Sequence, residues 1–102
     1  MRKAIVPLVL AAFLGAGCVT MGRDFPTDPV KSIVNGKTTK EDVRAAFGTP
    51  YQTGIEDGME SWTYYKIRYR GPRKTRSKEL HITFDKQGVV DSHSFTSTEP
   101  PR

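Results

Sequence analysis

The stretch Gly36-Lys37-Thr38-Thr39-Lys40-Glu41-Asp42-Val43-Arg44-Ala45-Ala46-Phe47-Gly48-Thr49-Pro50 constrains the fold most, because it writes both ends of one short helix. A threonine hydroxyl can accept from the unpaired N–H groups of a first turn, which predicts Thr38 as the N-cap. Glu41, three residues on, can reach back to the cap's own N–H and complete a capping box. Glu41 and Asp42 also place negative charge at the positive end of the helix dipole. Val43, Ala46 and Phe47 fall at i, i+3 and i+4, a narrow apolar stripe. Gly48 can take the left-handed conformation that closes the last turn, and Pro50 forbids continuation. A helix this short does not stand alone in water, so it must pack on something.

Its expected partners lie on both sides. Upstream, Asp28 as N-cap and Pro29 at the first helical position predict another short helix. Val30, Ile33 and Val34 form its stripe, and Asn35-Gly36 ends it. Downstream the period changes to alternation. Tyr51–Glu56 predicts a short extended segment, and Asp57-Gly58 a turn. Glu60–Arg70 is rich in aromatic and β-branched residues without Gly or Pro, which predicts a strand. Trp62 and Tyr64 share one parity, while Tyr65, Ile67 and Tyr69 share the other. Either both faces of that strand are partly covered or a bulge switches its register.

Gly71–Ser77 has no apolar residue and predicts a loop. Glu79–Asp85 alternates, with Leu80, Ile82 and Phe84 on one face. Asp85-Lys86-Gln87-Gly88 predicts a tight hairpin with Gly88 at the position needing positive φ, and Val89–Thr96 the returning strand. The expected fold is α+β: two short N-terminal helices packed on a three-stranded antiparallel sheet, four-stranded if Tyr51–Glu56 pairs. That is an α-α-β-β-β two-layer sandwich.

The first residues do not belong to this domain. Met1-Arg2-Lys3 is a basic start, Ala4–Phe13 an apolar run too short to span a bilayer permanently, and Leu14-Gly15-Ala16-Gly17 a set of small residues before Cys18. This layout resembles a bacterial lipoprotein signal, in which cleavage precedes a cysteine that then carries acyl chains. Gly15 departs from the leucine commonest at its place. Cys18 is the only cysteine, so no internal disulfide exists to explain it. Val19 is not the aspartate that signals inner-membrane retention in such proteins, which makes the periplasmic face of the outer membrane the expected address. The expected division is 1–17 signal peptide, 18–28 lipidated Cys18 and tether, 29–98 domain, and 99–102 frayed tail.

The formal net charge is +5, and it is unevenly spread. Lys66, Arg68, Arg70, Arg73, Lys74, Arg76 and Lys78 fall within one short run that contains no acid. Three readings stand open for this run: a solvated tip, a contact with anionic lipid, or a contact with an acidic partner. Export beyond the cytoplasm argues against nucleic acid. Tyr65, Tyr69 and Phe95 join these cations as candidate contacts, because exposed aromatics beside arginines are what docking surfaces contain. Phe95 has the parity of His93, the face opposite Leu80, Ile82 and Phe84 if pairing is regular. That places the expected interaction face on the outer side of the sheet.

Catalysis finds no motif: no Gly-x-Ser-x-Gly elbow, no His-Glu-x-x-His and no phosphate-cradling glycine loop. No cofactor is expected. A three-residue loop at Lys86–Gly88 sets His81 opposite His93, but two imidazoles fall short of the four ligands structural zinc generally takes, so no metal is expected.

The pieces together resemble the SmpA/OmlA (BamE-like) outer-membrane lipoprotein family. The resemblance runs over most of Val30–Ser94, in Gly36, Thr38, Val43, Phe47, Gly48 and Pro50, then Trp62-Thr63-Tyr64-Tyr65, then Phe84-Asp85-Lys86-Gln87-Gly88-Val89. It implies the α-α-β-β-β fold, attachment to the outer membrane, no enzymatic activity, and a stabilising role in the β-barrel assembly machinery through partner subunits and anionic phospholipid. The family motif residues mainly specify helix and turns. The alternative function is an envelope-stress, ligand-binding or inhibitory periplasmic lipoprotein of the same fold.

Overall fold

A computed structural model describes residues 17–98. The expected signal segment up to residue 16 and the tail 99–102 lie outside the described residues. In chain order the elements are β1 (Cys18–Gly22), a 3-10 turn (Asp28–Ser32), α1 (Lys40–Phe47), β2 (Gln52–Glu56), β3 (Met59–Arg70), β4 (Arg73–Phe84) and β5 (Val90–Ser97). The five strands form one antiparallel sheet in the order β1-β3-β4-β5, with β2 also on β3. Among the described residues, the expected two helices on three strands are therefore corrected to one α-helix on five strands.

Three pairings made outside the segments themselves account for the difference. The first expected helix is only a 3-10 turn, preceded by Thr27 rather than capped by Asp28, and Ile33 after it is already extended at φ −74°, ψ 126°. The chain just beyond it is drawn onto the sheet: Gly36 N–H donates to Val90 O at 2.7 Å, and Val90 N–H to Thr38 O at 2.8 Å. Pairing with the start of β5 thus takes the hydrogen bonds that a second helical turn would have used. The expected tether is instead a strand, with Cys18–Gly22 opposite Arg70–Lys66. It covers the half of the β3 edge that β2 leaves free, since β2 pairs only with Met59–Thr63. The expected loop 71–77 is mostly strand: β3 and β4 run to Arg70 and from Arg73, leaving Gly71-Pro72 as the turn.

The cap of α1 also sits one residue later than expected. Thr39 Oγ1 accepts from Asp42 N–H at 3.2 Å and Asp42 Oδ2 from Thr39 N–H at 3.1 Å, so the capping box is Thr39–Asp42. Thr38 is occupied instead by Val34, whose N–H donates to Thr38 Oγ1 at 2.8 Å. Gly48 closes the helix at φ 86°, and its carbonyl accepts from Tyr64 Oη at 2.8 Å.

The core lies between α1 with the 3-10 segment and one face of the sheet. Val43 and Phe47 from the helix meet Trp62 and Tyr64 from β3, Leu80, Ile82 and Phe84 from β4, and Val90 from β5. Phe25 and Ile33 close the flank. The aromatic members pack edge-on or tilted: Phe47–Tyr64 centroids lie 5.6 Å apart and Trp62–Phe84 4.8 Å. The even-numbered residues of β3 up to Tyr64 therefore face the helix, and the odd ones form the open face. No parity switch is needed there.

A bulge does occur in β5. Thr83 pairs with Ser92 but Phe84 with Val90, leaving Asp91 as the extra residue. The bulge puts Val90, His93 and Phe95 all on the helix side, where Phe95 packs against the core. The expected outward Phe95 is thus corrected, and so is the histidine pairing: His93 stands opposite Ile82, and His81 opposite Ser94.

Candidate interaction surface

Below Tyr65, the β3–β4 hairpin with β1 on its edge becomes a three-stranded ribbon with two unlike faces. Residues directly opposite on paired strands share a face. The register Lys66↔Lys78, Arg68↔Arg76 and Arg70↔Arg73 therefore gathers six cations on the helix side of the sheet. Cys18↔Arg70 puts the cysteine on that same side. A second bulge, with Thr75 as its extra residue, sends Lys74 opposite Tyr69 onto the other face. Of the candidate contacts, Arg68, Arg70, Arg73 and Arg76 are thus brought together. Tyr65, Tyr69 and Lys74 lie behind them.

The basic face divides into a satisfied base and an unsatisfied tip. At the base, Lys78 Nζ, almost wholly buried, donates to Phe25 O at 2.6 Å and to Asp24 Oδ1 at 2.7 Å, and sits 4.7 Å from the centre of the Phe25 ring. Lys66 Nζ lies 3.6 Å from Asp24 Oδ2. The Lys78 hydrogen bond holds the Asp24 carboxyl below the usual carboxylate range, with the charges of Lys78 and Lys66 adding to it. At the tip, none of Arg68, Arg70, Arg73, Lys74 and Arg76 has an ion pair among the described residues. A cavity of about 440 Å³ opens there, lined by Cys18, Arg68, Tyr69, Arg70, Thr75 and Arg76. Like charges directly opposite each other destabilise a sheet, so these pairs work against the hairpin until an anion neutralises them.

The open face of the ribbon is apolar along β1 and β3 and polar along β4, where Lys74, Ser77 and Glu79 stand opposite Tyr69, Ile67 and Tyr65. Val19 pairs with Tyr69 and Met21 with Ile67, and Val19 and Met21 remain 56% and 48% exposed. Where β1 gives way to β2, Tyr51 packs on Tyr65 with centroids 4.8 Å apart, and the Arg23 guanidinium lies 5.5 Å from the Tyr51 ring. This stack seals the joint between the two short edge strands. Val19, Met21, Ile67 and Tyr51 were not among the candidates read from sequence. The alternation of Val19 and Met21 was the available signal, and it is too short to separate a strand from a tether.

Higher on the open face the surface turns polar. Glu56 Oε2 meets His81 Nε2 at 2.9 Å, and His81 Nδ1 meets Thr63 Oγ1 at 2.9 Å. Carboxylate, imidazole and hydroxyl stand in the order a hydrolase uses. Yet Thr63 lies mid-strand between β2 and β4, where ladder hydrogen bonds on both sides occupy the backbone N–H groups that could cradle an oxyanion. The line ties three strands together. On the other side of the sheet, His93 Nδ1 meets Asn35 Oδ1 at 2.7 Å. Among the described residues no three of His, Cys, Asp and Glu are grouped to hold a metal.

A second depression, about 540 Å³, lies between α1 and β3, lined by Lys40, Glu41, Arg44, Ala45, Glu60 and Trp62. Its polar groups satisfy one another. Lys40 pairs with Glu60, Trp62 Nε1 donates to Glu60 Oε2 at 2.9 Å, and the Arg44 guanidinium lies 4.9 Å from the Trp62 ring. The hydrogen bonds from Lys40 and then Trp62 hold the Glu60 carboxyl below its usual range. The family motif residues are structural in position. Val43, Phe47, Pro50, Trp62, Tyr64 and Phe84 are buried, while Gly36, Gly48 and Gly88 take positive φ at turns. No helix among the described residues is long and apolar enough to cross a membrane.

A family model for the outer membrane protein assembly factor BamE domain matches residues 25–94. No curated protein matches the chain.

Proposed function

This chain belongs to the BamE family of outer-membrane protein assembly factors, and we propose that it acts there as a non-enzymatic scaffold, held at the periplasmic face of the outer membrane by acylated Cys18. Family membership carries an association with the outer membrane and a general role in its assembly. The finer reading is that it steadies the barrel-assembly machinery by docking one of its subunits.

One observation carries that reading: the strip on the open face directly beside Cys18, in which Val19 and Met21 are exposed over half-buried Tyr65, Ile67 and Tyr69. Aromatic side chains supply large contact area at small entropic cost, methionine adapts to irregular partners, and a rim of cations gives such a patch orientation. The basic tip adds a contact with anionic phospholipid, whose attraction for each Lys or Arg near the surface is about 1 kcal/mol.

Affinity purification from mild detergent tests the scaffold role. Tagged protein should recover barrel-assembly subunits, and Met21→Asp with Ile67→Asp should abolish recovery without loss of fold. Recovery of a soluble periplasmic enzyme and no membrane complex would instead favour the inhibitory alternative. Cys18→Ser should remove lipid label from the protein, and a labelled band surviving that change refutes the anchor.

A further inference from the structure

The two faces of the ribbon pose a question that acylation alone leaves open, namely which of them meets the bilayer. We infer that Cys18 decides it: the domain stands on the outer membrane tip first, without a tether, its arginine face against anionic headgroups and its apolar face turned away toward protein. The inference rests on acylation of Cys18, and then on three features of the ribbon.

The first is the position of Cys18. It is not at the end of a loose linker but is the first residue of β1, level with Arg70, so that cleavage before it leaves the acylated residue itself paired in the sheet. Acyl chains on Cys18 therefore enter the bilayer beside Gly71-Pro72. A flexible link of even a few residues would let the domain reorient freely, and β1 removes that link.

The second is sidedness. Cys18 shares its face with Arg68, Arg70, Arg73 and Arg76, whereas Val19, Met21, Ile67 and Tyr69 point the opposite way. With the apolar face laid on lipid, the acylated side chain would point away from the membrane. With the basic face laid flat, α1 and the 3-10 segment, which project from the same side, would be driven into the bilayer. A tip-first stance inclined toward the basic face satisfies the anchor and clears the helix layer. It also lifts Trp62, eight residues up β3 from Arg70, roughly 26 Å along the strand at about 3.3 Å per residue.

The third is charge. The like-charged pairs Arg68/Arg76 and Arg70/Arg73, without an ion pair among the described residues and flanking a cavity at Cys18, are unfavourable in the free protein and become favourable over lipid phosphate.

The test uses mature acylated protein, beginning at Cys18, reconstituted into vesicles of phosphatidylethanolamine with or without phosphatidylglycerol, followed by backbone hydrogen exchange. Mass spectrometry of the N-terminal peptide first establishes acylation; an unmodified Cys18 defeats the anchor reading itself. With acylation established, the turn amides around Gly71–Lys74 should exchange at least tenfold more slowly in vesicles containing phosphatidylglycerol than in those without. The β1 amides should stay protected in both. Arg68→Glu with Arg76→Glu should abolish the slowing, with circular dichroism unchanged, and Arg68→Lys with Arg76→Lys should retain it. Met21→Asp should leave it intact. Acylated protein whose β1 amides exchange like free chain overturns the tetherless stance, as does a tip indifferent to phosphatidylglycerol. Loss of slowing on Met21→Asp but not on arginine reversal would show that the faces are the other way round.

Discussion

Gly22→Ala is the substitution that asks most of this structure, because it releases β1 while leaving Cys18 and every arginine in place. Gly22 has φ 86°, and a Cβ built there would lie 2.1 Å from Tyr65 O and 2.9 Å from Tyr65 C. Those are backbone atoms of β3, so no rotamer change relieves the contact. The same carbonyl accepts from Arg23 N–H at 2.9 Å, which is why the two strands run so close. The left-handed conformation costs an alanine about 1–2 kcal/mol, and the clash lifts the strand from its ladder. Each lost ladder bond is a net loss of about 0.5–1.5 kcal/mol, but each freed residue regains about 1–2 kcal/mol of backbone entropy. No residue of β1 is fully buried, so little apolar area is lost with it. These opposing quantities bound the destabilisation at about 1–3 kcal/mol, with Tm falling roughly 4–8 °C per kcal/mol in a domain this small. Thermal unfolding by circular dichroism gives the global number, and hydrogen exchange at Val19–Met21 shows the local release. Unchanged Tm with protected β1 amides would refute the close approach at Gly22. Loss of the whole fold would refute the claim that β1 is only an edge strand.

Further substitutions probe other parts of the argument. Asp24→Asn takes the carboxylate from Lys78 and should cost about 1–2 kcal/mol at pH 7, a figure discounted because the Asp24 side chain is 66% exposed. Since the folded Asp24 carboxyl is depressed, its contribution is full above the unfolded value near 4 and fades as pH falls through the lower folded value. The difference in urea midpoint between the two proteins at pH 7 should therefore narrow as pH is taken below 4. Burial pushes the Tyr64 phenol up to about 12. The raised value means its contribution is present below pH 10 and lost as pH climbs through 12. Tyr64→Phe should cost about 1 kcal/mol at neutral pH through the lost bond to Gly48 O and remove that part of the alkaline decline in a pH-stability series. Thr39→Ala should cost about 1 kcal/mol of stability in chemical denaturation, whereas Glu41→Ala should cost far less. Equal losses would restore the capping box to Thr38 and Glu41.

What could be read locally was read well where one segment decides its own conformation. Val43, Phe47 and Gly48 fix a helix and its stop, Leu80, Ile82 and Phe84 fix a half-buried strand, and Asp85–Gly88 fixes a turn, because caps, periodicity and turn residues act within a few positions. Segments whose hydrogen bonds are made far away resisted. Asp28–Val34 carries a helical pattern, yet Gly36 and Thr38 pair with Val90. Gly71–Ser77 lacks apolar residues, yet four of its members extend a ladder that Glu60–Tyr65 begins. Phe95 lost its expected side to a single bulged residue, Asp91, because one extra residue turns every later side chain over.

The candidate surface shows the same division. Sequence alone determined that a cation-rich, acid-free run exists, that Tyr65 and Tyr69 of one parity stand at it, and that a lone cysteine stands near the start of the chain. Those are properties of composition and spacing. Only the tertiary structure decided that Cys18 is a strand residue beside Arg70, that the arginines share its face, and that Tyr65 and Tyr69 look the other way with Val19 and Met21. Facing in a sheet is set by register, and register here depends on two bulges and on an edge left vacant by a short β2. None of these is a property of any one segment.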